Sequence, residues 1–509
     1  MLVRTKTAIL FGVRAVPVEV EVDVSPGICS FSLVGLAGSG VRESRERIRT
    51  AFRNSGFAFP DMRITVNLAP ADVKKEGSSF DLPVAAGILT ATGQAEAEKL
   101  GTYLVAGELS LDGTIKPVAG AVSLAYLAKR MGLAGIIVPP PNFYQASLIS
   151  GIDVVPIPTL RDFVRFLNGE DEFPPHPVPP RPGEKRENRK RDLSDVVGQE
   201  TAKRALEIAA AGGHNLLYVG PPGTGKSMLA ERIVTILPDP DEEEVIEINE
   251  VHSLNGSAAG GRILRERPFR SPHHSISYAG MVGGGNPPVP GEVTLAHRGV
   301  LFLDEFPEFR RDVLEALRQP METGVVVITR SSHSFTFPAR FSLIATANPC
   351  GCGYYGYPER ECVCRPRDLV SYRKKLTGPV IDRIDMQVEM LPPPRRDIIE
   401  RTSPGESSQA VKKRVIRARE IQKERYGKLP WKLNSFIPGR ETLETASPTE
   451  EARRLLERAS ETLGLSARAI HRILKISRTI ADLEEEKRVL PRHVSEALHY
   501  RFLDREKRR

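Results

Sequence analysis

The segment from Gly220 to Ser227, GPPGTGKS, constrains the fold of this chain more than any other stretch. It follows the apolar run LLYV and precedes the helix-patterned stretch KSMLAERIVTIL. Glycines in such a loop let backbone N–H groups point inward, and a following helix adds partial positive charge, so the loop can surround phosphate oxygens. The pattern G-x-x-x-x-G-K-[ST] between a strand and a helix therefore predicts a phosphate-binding loop. We assign Lys226 to the β- and γ-phosphates and the Ser227 hydroxyl to Mg²⁺.

Two further apolar strands end in polar residues that suit phosphate chemistry. Val300 to Leu303 runs into Asp304 and Glu305, and RFSLIATAN ends in Asn348. We expect Asp304 to hold the hydration shell of Mg²⁺ and Glu305 to polarise the attacking water, because phosphoryl transfer needs positioning and charge neutralisation. Asn348 is predicted to orient that water and to sense the γ-phosphate. Strands that alternate with helices in this way favour an α/β fold with a buried parallel sheet.

Changes in composition along the chain predict several domains, because one hydrophobic core rarely extends over 509 residues. Residues 1–168 mix strand and helix patterns, which is typical of an α+β domain. Residues 169–192 are rich in proline and end in basic residues, so we interpret them as an interdomain linker. Residues 193–400 carry the alternating strands and helices, and residues 401–509 are almost wholly helical in pattern.

The order of motifs points to a known family. The chain reads DVVGQ, GPPGTGKS, LDEF, ATANP, GPVIDRID and SARAIHRIL in succession, with RPFRSPHHS, PGEVTLAH and NPCGCGYYGYP between or after them. Over nearly its whole length it resembles AAA+ ATPases of the magnesium-chelatase-like clade, and within them the ComM/YifB group. The resemblance implies an AAA+ P-loop parallel sheet with a helical lid. It also implies a preceding α+β domain that is Lon-protease-like, with the ribosomal S5 domain 2-like fold.

The resemblance implies further roles for single residues. Val197 and Gly198 would border the adenine, Arg383 would be an arginine finger for the neighbouring subunit, and Arg468 would be the sensor 2 arginine. A finger supplied in trans neutralises transition-state charge and makes hydrolysis depend on assembly. Arg472, one helical turn after Arg468, could take the sensor 2 role instead. The residues expected to bind the nucleotide are Val197, Gly198, Gly220, Pro221, Pro222, Gly223, Thr224, Gly225, Lys226, Ser227 and Met228.

The Lon-like domain is expected to lack protease activity. A Lon-type site needs a serine nucleophile close to a lysine base. Ser79 falls near the serine position, but Val122 stands at the lysine position and Lys116 lies six residues away. The domain would then be a ring-stacking or substrate-binding platform. Lys74 and Lys75 could bind a polyanion there or simply face solvent.

Four of the five cysteines lie within 15 residues and form C-x-C, nine residues, C-x-C. Cys350, Cys352, Cys362 and Cys364 suggest a tetrahedral zinc site, with a zinc loop over 350–364. The spacing differs from the usual C-x-x-C pattern, so reduced structural thiols are the alternative. His273 and His274 have no carboxylate or thiol at ligand spacing, and we assign them to hydrogen bonding or partner contact.

The expected partner is DNA, whether branched, duplex or single-stranded. The net charge is +8 and the pI about 9.2, which favours a polyanionic partner. Residues 321–341 predict a β-hairpin with its tip at Arg330 to His333, and the clade places such hairpins toward a ring pore. Arg330 and His333 could contact a nucleic-acid backbone there.

These features predict a cytoplasmic ATP-driven ring, expected to be a hexamer, that acts on DNA. Resemblance to ComM indicates helicase action or branch migration of recombination intermediates during natural transformation. The alternative is a magnesium-chelatase-type motor that remodels a protein partner. A protease is disfavoured by Val122, and a nucleotide-gated binding module by Glu305 and Arg383. No secretory signal is visible, and the uncharged stretch Met131 to Ile152 is interrupted by prolines, so we expect no membrane span.

Overall fold

The computed structural model describes residues 1–35, 43–70, 75, 79–170, 191–254, 263–286, 288–330, 333–393, 396, 405–429 and 431–503. Most of the expected linker, residues 171–190, lies outside these ranges. In the parts of the chain that the structure describes, no helix is long and apolar enough to cross a membrane.

The N-terminal region is built on a mixed sheet of seven strands, with spatial order β3-β4-β2-β1-β5-β8-β9. β2 shows why these residues form strands: Val18, Val20, Val22 and Val24 alternate with polar residues, and all four are buried. A separate two-stranded ladder pairs β6 with β7. The strands are β1 Leu2–Phe11, β2 Arg14–Ser25, β3 Ser30–Val34, β4 Arg63–Ala69, β5 Tyr103–Val105, β6 Glu108–Leu109, β7 Ile115–Lys116, β8 Gly135–Val138 and β9 Asp153–Pro156.

In the described parts of residues 1–170, five α-helices accompany this sheet. The first ends at Gly56, whose φ of 83° is the left-handed conformation of a glycine C-cap. Lys75 is fully buried, and its ammonium donates to the Pro70 carbonyl. Both expectations for Lys75, contact with a polyanion and exposure to solvent, were therefore wrong. Lys74 lies outside the described residues. The helices are α1 Ser44–Ser55, α2 Asp81–Ala91, α3 Ala121–Arg130, α4 Phe143–Ala146 and α5 Leu160–Leu167.

The central region contains the predicted parallel sheet, with spatial order β11-β14-β17-β10-β18. The continuous apolar runs of β10 and β14 are buried on both faces, as expected for a parallel sheet covered by helices. We call the two ends of this sheet the carboxyl edge and the amino edge, after the ends of its strands. The strands are β10 Leu216–Val219, β11 Phe269–Arg270, β14 Val300–Leu303, β17 Ser342–Ala347 and β18 Met386–Glu389.

Two small antiparallel ladders extend from this region. The predicted hairpin is confirmed as β15 Val325–Arg330 and β16 His333–Pro338, in which Arg330 pairs with His333. Within residues 283–292, which are rich in glycine and proline, β12 Gly283–Gly284 pairs with β13 Val289–Pro290. The structure therefore orders part of a segment whose glycines and prolines predict no strand.

The helix expected after the phosphate loop is divided into two at Arg232. The backbone N–H of Arg232 donates to the Leu229 carbonyl, three residues back, and the Arg232 guanidinium donates to the Met228 carbonyl, four residues back. A side chain that competes for the carbonyl of residue i−4 interrupts the helical ladder. The helices of the central region are α6 Glu200–Gly212, α7 Lys226–Glu231, α8 Ile233–Ile236, α9 Glu242–Ser253, α10 Tyr278–Val282, α11 Glu292–Leu295, α12 Arg311–Ala316, α13 Arg318–Thr323 and α14 Pro366–Lys375.

The C-terminal region is helical, as predicted, and packs on the central core. Its interior holds an ionic network in which Asp482, itself fully buried, accepts from both Arg425 and Arg478. Buried charges need such pairing, because each would otherwise lose its hydration without compensation. The helices are α15 Ser408–Tyr426, α16 Thr442–Ala446, α17 Glu450–Leu463, α18 Ala467–Leu483 and α19 Pro491–His499.

The N-terminal region touches the hairpin directly. The ring of Phe11 stacks on Phe335 of β16, with centroids 4.3 Å apart. Gly12, in the turn after β1, comes so close that a Cβ there would lie 2.7 Å from the Thr336 carbonyl oxygen. Nearby, the N–H of Gly120 donates to the Ser253 carbonyl at the end of α9. The N-terminal region thus buttresses one strand of the hairpin, a contact that the sequence patterns do not predict.

Candidate functional site

The loop after β10 has the shape that its glycines predict. Gly223 and Gly225 have φ values of 81° and 87°, and a Cβ at Gly220 would collide with the Met390 carbonyl oxygen. The Lys226 ammonium donates to the carbonyls of Gly220 and Pro221, at 2.7 and 2.8 Å, and to Asn348 Oδ1 at 3.2 Å. Burial lowers the pKa of Lys226 to about 8, although nearby carboxylates act to raise it. The loop thus directs a lysine and its backbone toward one space at the carboxyl edge.

Asp304 and Glu305 meet the phosphate loop at the end of β14. The Ser227 hydroxyl donates to both oxygens of Asp304, at 2.9 and 3.0 Å. A hydroxyl beside a carboxylate is a donor set that suits Mg²⁺. Glu305 has a φ of 54°, unusual for a residue other than glycine, and its side chain is exposed. Glu305 thus follows the carboxyl end of the buried strand β14, and its side chain is open to solvent.

Thr346 fixes this acidic pair and was not predicted. Its side chain is buried in β17, and its hydroxyl donates to Asp304 Oδ1. The hydroxyl oxygen of Thr346 also accepts from the backbone N–H of Glu305 at 3.1 Å. One hydroxyl therefore holds a carboxylate of the site and the peptide group of its neighbour.

On the other side of the loop, Gln199 connects the DVVGQ segment to the site. Its amide donates to the Leu391 carbonyl at 2.7 Å and to the Thr224 carbonyl at 3.2 Å, and its φ is 60°. Val197 and Gly198, half-buried, come immediately before it. The residues expected to border the adenine therefore lie beside the phosphate loop. Among the other residues expected there, Met228 is exposed and Thr224 is buried.

Asn348 lies between Lys226 and the helix α14. Tyr372 of α14 faces it: the pKa of this phenol is raised, chiefly by burial and then by the negative charge of Glu308. Glu305 and Cys350 also act on the phenol, while the backbone of Asn348 acts in the opposite direction. Tyr372 thus connects the helix after the cysteine loop to the strand end that carries Asn348.

Arg383 lies at the amino edge of the same sheet. It closes the short turn before β18, and Asn215, just before β10, donates to its carbonyl oxygen at 3.4 Å. The phosphate loop follows the other end of β10, and four residues of strand span roughly 13 Å. The guanidinium pairs with Glu322 at 2.5 Å and is 9% exposed. Arg383 is therefore far from the phosphate loop of its own chain.

Arg472 is held at this edge as well. Its guanidinium lies 3.3 Å from Asp385, whose carboxylate accepts the Asn215 N–H at 2.9 Å. Burial opposes the charge of Asp385, but His214 at 3.7 Å, Arg472 and the Asn215 N–H hold the pKa of Asp385 at about 2. Arg468 lies one turn earlier in α18 and is exposed. Of the two sensor 2 candidates, Arg472 forms an ion pair with Asp385, and Arg468 is exposed to solvent.

The four cysteines converge although they are spread over two C-x-C pairs. Their sulfur atoms all lie within 4.8 Å of one another, with Cys350–Cys352 at 3.3 Å and Cys350–Cys362 at 3.7 Å. Four thiolates at 2.3 Å from a tetrahedral Zn²⁺ stand about 3.8 Å apart, so the set fits this ion. The N–H of Cys352 also donates to the Cys364 sulfur, and that of Tyr355 to Cys350, both at 3.3 Å. Such bonds orient metal-binding sulfurs.

The remaining candidates are placed as follows. Arg330 and His333 pair across the end of the hairpin, and their side chains lie outside what the structure describes. The rings of His273 and His274 are 4.0 Å apart, and His273 bonds to the Ser275 hydroxyl at 2.8 Å. This agrees with a hydrogen-bonding role for the histidine pair.

The three residues of the protease comparison differ in their burial in the N-terminal region. Val122 is fully buried in α3, and Lys116 is exposed on β7. Ser79 is half-buried before α2, whose first residue Asp81 pairs with Arg47 at 2.7 Å. A buried apolar side chain at the lysine position supplies no base.

Sequence motifs reveal the residues at strand ends but not the residues that hold them. Gln199 was visible as the last letter of DVVGQ, and Thr346 as the polar residue in IATAN. Buried polar residues in apolar strands are the available signal, because a buried hydroxyl needs a partner. Nothing local in the sequence marks Glu322 or Tyr372.

Three family models match the chain. The model described as magnesium chelatase, subunit ChlI, matches residues 192–398. The model described as subunit ChlI of Mg-chelatase matches residues 20–142, and the ChlI C-terminal model matches residues 405–501.

Two relatives extend the similarity to nearly the full length. Competence protein ComM of Haemophilus influenzae is 44% identical over 497 residues, which are 97% of this chain and 96% of the relative. The uncharacterized protein YifB of Escherichia coli is 44% identical over 505 residues, 99% and 97% of the two chains. The chain belongs to the magnesium chelatase ChlI family. It is a homologue of ComM and YifB and a magnesium-chelatase-like AAA+ ATPase, which confirms the predicted family and fold.

Other parts of the prediction are also supported by these matches. Lon protease 2 of Bacillus subtilis is 29% identical over 144 residues, 27% of this chain and 25% of the relative. Part of the chain is thus similar to a Lon protease. The ATPase family implies ATP with Mg²⁺, and the phosphate loop, Ser227 and Asp304 supply donors that fit both.

Proposed function

We propose that this chain assembles into an ATP-hydrolysing ring, expected to be hexameric, that moves on DNA. Its task would be helicase action or branch migration of recombination intermediates during natural transformation. Support comes from the 44% identity, over 97% of the chain, to a relative named as a competence protein. In this proposal residues 193–400 are the motor and 401–509 the lid. Residues 169–192 connect them to a non-proteolytic platform, residues 1–168.

The carboxyl edge would supply one half of each hydrolytic site. Lys226 would neutralise the β- and γ-phosphates, Ser227 and Asp304 would hold Mg²⁺, and Glu305 would polarise the attacking water. Asn348, 3.2 Å from the Lys226 ammonium, would orient that water. Val197 and Gly198 would border the adenine, beside the phosphate-loop residues.

The amino edge would supply the other half to the next subunit. The observation that carries the ring is the position of Arg383: it lies at the opposite end of β10 from the phosphate loop, so it cannot serve its own chain. Arg468 lies one helical turn from Arg472, which contacts the same segment through Asp385. We therefore assign Arg383 to the phosphates of a neighbouring subunit, where arginine adds charge in the transition state, and Arg468 to the γ-phosphate as the sensor 2 arginine of the helical lid.

The hairpin is the proposed contact to DNA. Its tip, Arg330 and His333, would meet the phosphate backbone, which is bound by charge and not by sequence. The contact of Phe11 with Phe335 would brace the hairpin against load. The chain's net charge of +8 agrees with a polyanionic partner.

We propose a structural Zn²⁺ on Cys350, Cys352, Cys362 and Cys364. The support is the convergence of four sulfurs within 4.8 Å and the N–H groups that donate to them. The ion would fix the loop that begins two residues after Asn348, and with it the base of α14.

A labelled four-way DNA junction tests the function. The protein would be incubated with the junction and Mg·ATP, and the products separated on a gel, with Glu305→Gln as the matched control. We expect ATP-dependent conversion into duplex arms by the native chain and none by the variant. Absence of conversion, together with an ATP turnover that is the same with and without DNA, would contradict a DNA motor.

The second candidate is a magnesium-chelatase-type motor that remodels a protein partner. The observation in its favour is that all three matching family models are described by that enzyme's ChlI subunit. It predicts ATP turnover that responds to a protein and not to DNA, so the same junction experiment separates the two.

A further inference from the structure

The ion pair between Glu322 and Arg383 joins two parts of the molecule with different proposed tasks. Glu322 is the fifth of six residues of α13, and β15 of the hairpin starts three residues after it. Its carboxylate lies 2.5 Å from the Arg383 guanidinium. The base of the hairpin is thereby linked to the arginine that we assign to the neighbouring subunit.

The partners of Arg383 hold it within its own chain. One terminal nitrogen donates to the Pro379 carbonyl at 2.7 Å, and the other meets Glu322. The Nε–H is buried and has no hydrogen-bond partner among the described residues. Only 9% of the Arg383 side chain is exposed, so its guanidinium is withdrawn from the surface, whereas the Glu322 side chain is 50% exposed. A finger must present its N–H groups to a phosphate outside its own chain.

The hairpin base is built so that its movement reaches Glu322. The N–H of Ala339 donates to the Gly324 carbonyl at 2.8 Å, which closes the hairpin two residues after Glu322. Gly324 has a φ of 69°, and a Cβ there would lie 2.8 Å from the Arg340 side chain. Only two residues, one of them the closely packed Gly324, therefore separate Glu322 from the first strand of the hairpin. A shift of the hairpin has to be taken up at the end of α13.

We propose that Glu322 is a positioning residue that keeps Arg383 withdrawn until a substrate engages the hairpin. Displacement of the hairpin by a bound polyanion moves Glu322 away from the guanidinium, which then turns toward the neighbouring subunit. This rests on the proposed function, because it takes DNA as the polyanion and Arg383 as the finger. It adds a direct route from substrate binding to hydrolysis.

Glu322→Gln tests this with two readouts. The substitution keeps the size of the side chain and its hydrogen-bonding capacity but removes the charge that holds the guanidinium. We expect ATP turnover without DNA to rise roughly threefold to tenfold, since a partly exposed ion pair is a modest restraint. The ratio of turnover with duplex DNA to turnover without it should fall toward one. The matched control is Glu315→Gln on α12, which breaks an exposed pair with Arg311 at 2.8 Å and should leave both values unchanged.

Placing Glu322→Gln in one of two complementary inactive variants decides whether the rise acts through the finger. In a mixture of Lys226→Ala and Arg383→Ala subunits, we expect the substitution to raise ATP turnover when it accompanies Lys226→Ala, which keeps the finger, and not when it accompanies Arg383→Ala. An unchanged DNA ratio in Glu322→Gln, or a parallel fall of both rates, would overturn the proposal. If native turnover ignores DNA, the proposed DNA motor fails. The rise without DNA and its dependence on Arg383 then still decide whether Glu322 restrains the finger.

Discussion

The two edges of the five-stranded sheet hold their charged residues in different ways. At the carboxyl edge, Lys226, Asp304 and Asn348 follow the ends of adjacent strands. The Lys226 ammonium donates to Asn348, and the hydroxyl of the next residue, Ser227, donates to Asp304. At the amino edge, Arg383 and Arg472 are bound to acidic groups of their own chain, Glu322 and Asp385. The carboxyl edge therefore has its cation beside the phosphate loop, whereas the cations of the amino edge are paired within their own chain. Under the proposed function, this difference means that a single subunit would not contain a complete site.

Removal of the Lys226 side chain should have the largest effect on nucleotide binding at the carboxyl edge. We expect Lys226→Ala to weaken binding of Mg·ATP by more than about a hundredfold, because the charge that faces the phosphates is lost. Titration with a fluorescent nucleotide measures this. Lys412→Ala, which removes a surface pair with Asp239 at 3.0 Å, is the control. Native affinity in Lys226→Ala would mean that the phosphates bind elsewhere.

The rate of ATP hydrolysis should depend on the hydroxyl group of Thr346 more than on the size and shape of its side chain. We expect Thr346→Val to lower kcat for ATP by about tenfold to a hundredfold, because hydrogen bonds to the Asp304 carboxylate and from the Glu305 N–H disappear. Thr346→Ser keeps the hydroxyl and should restore most of the rate. Steady-state ATPase assays provide the comparison.

Thr294→Val is the control for this experiment. Thr294 is also fully buried, but its hydroxyl has no partner among the described residues, so the change should be nearly neutral. Equal effects of valine and serine at Thr346 would show that packing, not the hydroxyl, holds the acidic pair.

Loss of the metal should have the smallest effect, and it should act on the carboxyl edge. We expect the native chain to bind one Zn²⁺, and replacement of its four ligands by serine to abolish this and to lower Tm by about 5 °C. ATP turnover should fall a few-fold, since the loop follows Asn348. Elemental analysis, thermal denaturation and ATPase assays report the three quantities. Cys29→Ser, at an exposed cysteine outside the cluster, is the control. Unchanged Tm and turnover after chelation would contradict a structural ion.

The sequence predicts the carboxyl edge well for a physical reason. Its functional residues directly follow buried apolar strands, as Asp304 follows Val300 to Leu303, and the ends of parallel strands meet at one edge. The parallel sheet, the hairpin and the C-terminal helices were predictable from the same patterns.

The amino edge was predictable only in part. The family resemblance named Arg383, but its partner Glu322 lies 61 residues away on a helix without a motif. Such pairs depend on tertiary packing, which local periodicity does not encode. The same holds for Phe11 on Phe335, and for Lys75, whose burial no pattern of charge foretells.

Mixing two inactive variants tests most directly whether each site is divided between subunits. Lys226→Ala lacks a phosphate loop lysine, and Arg383→Ala lacks the finger, so each should be inactive alone. Random assembly of a 1:1 mixture places an intact loop beside an intact finger at about one quarter of the interfaces, so ATP turnover should partly return. Tagged subunits would establish that mixed assemblies form. Mixed assemblies without any recovered turnover would contradict a finger that acts in trans.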